Sequence, residues 1–219
     1  MRERDVDLAG LPGLYCAPRG AIAALALAHG AGAGMRHDFL RDIAAALAER
    51  RVATLRWELP YMAAGRARPD RPEVAEAAVQ QMWRSFARVA PRLPRFAGGK
   101  SFGGRMTSRA HAAVPLAGCR GVVFLGFPLH PPDKPAVAVE RAEHLPRASG
   151  PLLFVQGTRD ELAPLARLRP VIAGLGPRAA LHVVEGADHG FDVLVRSGRT
   201  RDQVLAEIAG AIAAWIAKP

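Results

Sequence analysis

Cysteine is scarce in this chain: 219 residues contain only Cys16 and Cys119. Two thiols cannot build the disulfide framework that staples small secreted domains, and no Cys or His falls at a metal-ligand spacing. No metal and no organic cofactor is therefore expected. Long apolar runs are also missing. The longest, Ala21–Ala28, is far short of the roughly 20 residues that cross a bilayer. The charged start Met1-Arg-Glu-Arg-Asp-Val-Asp7 leads into no signal-peptide core. The expectation is a cytoplasmic protein with no membrane partner. Lysine is nearly absent: Lys100, Lys134 and Lys218 stand against arginine at every other of the 30 basic positions. The net charge of +10 invites a nucleic-acid reading. The arginines, however, are spread along the whole chain, with no basic helix and no aromatic-interleaved stripe, and abundant Arg and Ala also follow from GC-rich coding. No nucleic-acid partner is expected.

Half of the residues are hydrophobic, so the chain can bury a core rather than stay disordered. The length suits one domain across residues 1–219. Apolar segments alternate between strand-like and helix-like patterns. Strands are expected at 21–28, 52–57, 95–98, 121–127, 152–156 and 181–185. Helices are expected at about 35–50, 72–89, 103–112, 162–173 and 200–217. Residues 59–71 read as a Pro/Gly/Arg-rich loop. Such alternation predicts a mostly parallel central sheet of about six to seven strands, flanked by helices. The Pro-rich stretch Pro128–Gly150 is the one candidate for a small lid, so little or no lid is expected. Ligands of such sheets bind outside the carboxyl ends of the strands, which directs attention to the turns after residues 28, 57, 98, 127, 156 and 185.

Gly99-Lys100-Ser101-Phe102-Gly103 fits G-x-S-x-G between a strand and a helix. The pattern has a steric origin. The nucleophile occupies a tight turn, and its neighbours two before and two after must be small for the turn to close. The same residues echo the end of a phosphate-binding loop, but that reading puts Pro94 where its first glycine belongs, and proline has no amide hydrogen to offer. A serine needs an adjacent base. His189, in the glycine-flanked loop after the last strand, fits that role, and Asp160, in Gln156-Gly-Thr-Arg-Asp160, fits the acid that orients it. Glu161 is the substitute if that loop is shifted by one. The oxyanion donors are expected from the amide of Phe102 and from Ala31 or Gly32 in the loop His29-Gly-Ala-Gly-Ala-Gly34. That loop also matches the first two glycines of a dinucleotide fingerprint, with Met35 in place of the third, which leaves the Ser, Asp and His unexplained. His29 is expected to brace the loop. Tyr61, Met62, Phe127 and Leu162 are expected to line the substrate pocket.

The runs His29-Gly-Ala-Gly-Ala-Gly34, Leu59-Pro-Tyr-Met62, Gly98-Gly-Lys-Ser-Phe-Gly-Gly-Arg-Met106, Phe154-Val-Gln-Gly-Thr-Arg-Asp160 and Asp188-His-Gly190 resemble the α/β-hydrolase family that includes the testis-expressed 30 and KANSL3-like proteins, related to dienelactone hydrolases. The resemblance extends from about Gly20 to the C-terminus. It implies the α/β-hydrolase fold, with Ser101, Asp160 and His189 at the triad positions. Dienelactone hydrolases usually carry Cys where this chain has Ser101. Two functions follow. One is a serine hydrolase acting on a small-molecule carboxylic ester or thioester, as monomer or homodimer. The alternative is a catalytically silent protein-binding scaffold on the same fold.

Overall fold

The computed structural model describes residues 3–132 and 140–218. Fourteen elements follow in chain order: β1 (Glu3–Asp7), β2 (Pro12–Cys16), β3 (Ala23–Ala28), α1 (Asp38–Glu49), β4 (Val52–Trp57), α2 (Pro60–Ala63), α3 (Pro72–Val89), β5 (Arg95–Lys100), α4 (Phe102–Ala113), β6 (Cys119–Leu125), β7 (Leu152–Gly157), α5 (Leu165–Gly174), β8 (Ala179–Val184) and α6 (Arg201–Ile216). They form one eight-stranded sheet in the order β1-β2-β4-β3-β5-β6-β7-β8. Strands β3 to β8 run parallel to one another, while at one edge β1 pairs antiparallel with β2 and β2 antiparallel with β4.

The sheet is thus larger than the six to seven strands expected, because β1 and β2 were not anticipated. The β1 sequence Glu-Arg-Asp-Val-Asp is charged and mostly exposed. Charges of this kind protect an edge from pairing with another chain, and they also hide a strand from any hydrophobic pattern. The expected loop at 59–71 contains α2, a single turn that begins at Pro60, where proline's fixed φ suits a helix start. Other boundaries move by one to three residues.

Period-two alternation sends the strand side chains into two layers. Leu25 and Leu27 of β3 and Phe96 of β5 face α1 and α6, joined by Phe39, Ile43, Ile208 and Ile212. Ala24 and Ala26 face the opposite way, toward α3 and α4, with Trp83, Phe86 and Met106. Further along that second face Phe124, Phe127 and Phe154 pack with Leu168 of α5. Fully burying side chains of this size stabilises by about 1.5–3 kcal/mol each. Such burial fixes the carboxyl ends of β3, β5, β7 and β8, from which the functional loops emerge. Helix α6 is capped by Thr200, whose side chain accepts from the Gln203 amide while the Gln203 side chain returns to the Thr200 amide.

In the one candidate segment for a small lid, Glu140–Ala142 and Leu145–Arg147 form single 3-10 turns, with Ala142 and Leu145 buried in the core. Residues 133–139 of that segment lie outside the described residues. Among the described residues no helix is long and apolar enough to cross a membrane.

Candidate active site

Ser101 sits between β5 and α4 with φ +49° and ψ −115°. A non-glycine residue in that region is strained by roughly 1–3 kcal/mol, and such strain persists only where the surroundings enforce it. Here they do. A Cβ on Gly99 would come within 2.5 Å of the Ala28 carbonyl, and one on Gly103 within 2.4 Å of the His29 carbonyl. Glycine at these positions lets β5 and α4 approach the backbone of β3 and its loop. The Ser101 amide donates to the Leu125 carbonyl at 3.0 Å, tying the turn to β6.

Three expected residues come together at this point from three separate loops. His189 Nε2 lies 2.9 Å from Ser101 Oγ, and His189 Nδ1 lies 2.7 Å from Asp160 Oδ2. Asp160 is buried, and Gln156 Nε2 donates to the same Oδ2 while the Leu162 amide donates to Oδ1 at 2.9 Å. Glu161 is exposed and takes no part. Asp188 is occupied within its own loop, accepting from the amides of Gly190 and Asp192 at 2.8 and 3.0 Å.

His29 is fully buried and braces its loop. Its Nε2 accepts from the Leu59 amide at 3.1 Å, which leaves Nδ1–H to donate to the Gly30 carbonyl at 2.8 Å. Burial lowers the His29 pKa, consistent with this neutral form. The Gly32 amide donates to the Tyr61 hydroxyl at 3.0 Å, so of the two expected loop donors it is Gly32 that is already engaged. Helix α4 begins at Phe102, where first-turn amides have no partner within the helix.

Two of the four expected pocket residues are corrected. Tyr61 and Phe127 are not surface walls: they are 0 % and 1 % exposed. Tyr61 lies beneath the loop of residues 29–34, edge-on to both His29 and Phe102. Phe127 packs edge-on against Phe124 and Phe154. Large aromatic rings at strand ends gain more from core burial than from lining an open surface. Met62 and Leu162 keep partial exposure. A cleft of about 570 Å³, bordered by Phe96, Arg120, Arg178 and Trp215, lies away from Ser101 among residues near the starts of β5 to β8.

Sequence reasoning missed Gln156 and Lys100. Gln156 is wholly buried and also accepts from the Phe127 amide at 3.0 Å. The signal for it was a polar residue ending an otherwise apolar strand. Lys100 Nζ donates to the His189 carbonyl at 2.6 Å. Its enclosure also removes the phosphate-loop alternative, since residues 95–100 are strand and the amine is turned inward. Among the described residues no group of three or more His, Cys, Asp or Glu could hold a metal ion. Cys16 and Cys119 are free thiols.

A family described as alpha/beta hydrolase domain matches residues 21–217. A dienelactone hydrolase from Anabaena variabilis superposes with a TM-score of 0.77 at 21% identity, covering 98% of this chain and 96% of that one. An alpha-beta serine hydrolase homologue from Coxiella burnetii gives 0.75 at 17% identity, covering 99% and 97%. A protein from Xanthomonas campestris, described as an α/β serine hydrolase without lid, gives 0.72 at 17% identity, covering 100% and 98%.

Proposed function

This chain belongs to the alpha/beta hydrolase domain family, and from that premise we propose that it is a serine hydrolase that cleaves a small carboxylic ester or thioester through an acyl-serine. The observation that carries the reading is the continuous contact from Ser101 Oγ through the His189 ring to the buried Asp160 carboxylate. In this mechanism Ser101 Oγ attacks the carbonyl carbon as His189 Nε2 takes its proton. Asp160 holds the imidazole in the required tautomer and stabilises the positive charge it acquires. The negative charge on the carbonyl oxygen is met by the amide of Phe102 and that of Ala31, while Gly32 shapes the loop through Tyr61. Collapse of the tetrahedral adduct breaks the carbon–oxygen or carbon–sulfur bond, and His189 gives its proton to the leaving alcohol or thiol. Water then attacks the acyl-serine, again with His189 as base, and releases the acid.

Met62 and Leu162, both partly exposed, are the pocket contacts this reading retains. The proposal treats residues 1–219 as one catalytic domain, working as a monomer or homodimer, with no cofactor, metal, nucleic acid or membrane partner and a cytoplasmic setting. The finer kinship with the testis-expressed 30 and KANSL3-like group rests on the Gly98–Met106 run and belongs to the same proposal.

The test is labelling with a fluorophosphonate probe, wild type beside Ser101→Ala. Labelling lost in the variant supports an activated Ser101. A folded wild type that does not label turns the reading to the silent scaffold.

A further inference from the structure

Lys100 immediately precedes the proposed nucleophile, and strand alternation turns its side chain to the same face as Phe96, toward α1 and α6. There it runs beneath the base loop. Its ammonium donates to the backbone carbonyl of His189 at 2.6 Å. The rings of Phe191 and Phe39 flank it at 5.5 and 6.0 Å. Gly126, at φ +69°, leaves the space it needs: a Cβ there would stand 3.1 Å from Nζ, 3.4 Å from Asp160 Oδ2 and 3.4 Å from His189 Cε1. One lysine therefore adjoins Ser101 in the chain, holds the backbone of His189, and shares a floor with Asp160.

We infer that Lys100 is a positioning residue: its ammonium ties the backbone of His189 to the nucleophile turn and so fixes the imidazole over Ser101. The inference rests on the reading of Ser101, His189 and Asp160 as the working triad. An enclosed ammonium is costly, and an apolar side chain would serve packing alone better. The charge makes its bond to the carbonyl shorter and stronger than a neutral one. Asp188 shapes the base loop by accepting from Gly190 and Asp192, the Arg159 and Gly186 amides bond across to Ala187 and Thr158 at 2.8 Å and fasten it to the loop after β7, and Phe191 stacks on Phe39 of α1; Lys100 adds a tie from this loop to β5, the strand that carries Ser101. The charged groups facing Lys100 are Asp160 after β7 and Asp188 after β8, with titratable His189 beside them; Phe39 of α1 and Gly30 after β3 also adjoin it. Desolvation lowers the Lys100 pKa to about 8, against the pull of the two carboxylates. The tether is therefore strongest below about pH 8 and weakens above it as the proton leaves.

Two variants test this. Lys100→Met keeps the stem and removes donor and charge. Lys100→Arg keeps a charge that does not titrate in the working range. Hydrolysis of p-nitrophenyl acetate is followed from neutral to alkaline pH, beside thermal unfolding and hydrogen exchange over residues 186–194. In the wild type kcat should fall above about pH 8, and Lys100→Arg should abolish that fall. Lys100→Met should lose roughly 10- to 100-fold in kcat at neutral pH, with KM within about threefold, faster exchange over 186–194 and a Tm equal to or above wild type. A Lys100→Met protein with wild-type kcat overturns the inference. So does one whose activity loss tracks a lowered Tm, or whose exchange over 186–194 is unchanged. A wild type that neither hydrolyses nor labels overturns the triad reading alone, and the exchange rates then still decide whether the tether exists.

Discussion

Gln156 donates its side-chain amide to Oδ2 of Asp160, the same oxygen that faces His189 Nδ1. Its own carbonyl oxygen accepts from the Phe127 amide, so a single buried side chain links the end of β6 to the acid of the proposed triad. Gln156→Leu removes both bonds at similar volume and strands a buried amide. The expected cost is about 1–3 kcal/mol in stability. With Asp160 less firmly held, kcat should fall about tenfold while KM changes little. Urea unfolding and steady-state kinetics on the same preparation separate the two effects.

Tyr61→Phe addresses the proposed oxyanion loop. The hydroxyl accepts from the Gly32 amide, but Gly32 is exposed and water can replace that bond. Stability should therefore change by less than about 1 kcal/mol. A loosened loop should nonetheless lower kcat about three- to tenfold, well short of losing a whole oxyanion donor. Equal kcat in the two proteins counts against a role for this loop in catalysis.

Gly103→Ala probes the approach of α4 to β3. The new Cβ would meet backbone, the His29 carbonyl at 2.4 Å, and backbone cannot swing aside as a flexible side chain does. Overpacking of this kind should cost about 3 kcal/mol or more, and the soluble, folded fraction should label poorly with fluorophosphonate. Val74→Ala, at an exposed position on α3, is a suitable control with little effect on either measurement.

His144 sets an acid limit on stability. It is buried against Ser108 at 2.7 Å, and desolvation together with Arg109, Arg105 and Arg147 lowers its pKa to about 3. Its unfolded value is near 6.5. Between these two values the unfolded chain binds the extra proton, so stability rises with pH across that window and is lost as pH falls through it. At pH 4 the His144 contribution to this loss is at most about 3 kcal/mol. His29 and His111, also lowered by burial, act in the same direction. Replacing His144 with Gln should flatten the decline of Tm between about pH 6 and 4, and an unchanged slope would contradict the assignment.

Much of this arrangement was legible in the sequence because it is written in local pattern. The apolar run at Val52–Trp57 and the helix Pro72–Val89 fall where periodicity put them, since burial on both faces or on one stripe leaves a direct mark on residue order. The glycines around Ser101 announced a turn that only small residues can close, and the chain order Ser101, Asp160, His189 followed from strands that all deliver their ends to one edge. What the sequence could not decide depends on partners distant in the chain. Strand β1 has little apolar signature and pairs with β2, which is short and in turn pairs with β4, some forty residues later. Tyr61 and Phe127 follow strands, as pocket residues do, yet only the packing around them turned them into the core. In the sequence Lys100 falls in the tight turn before Ser101. The fold enclosed its ammonium and set it against a carbonyl 89 residues away, because a side chain's surroundings are fixed by three-dimensional neighbours and not by sequence neighbours.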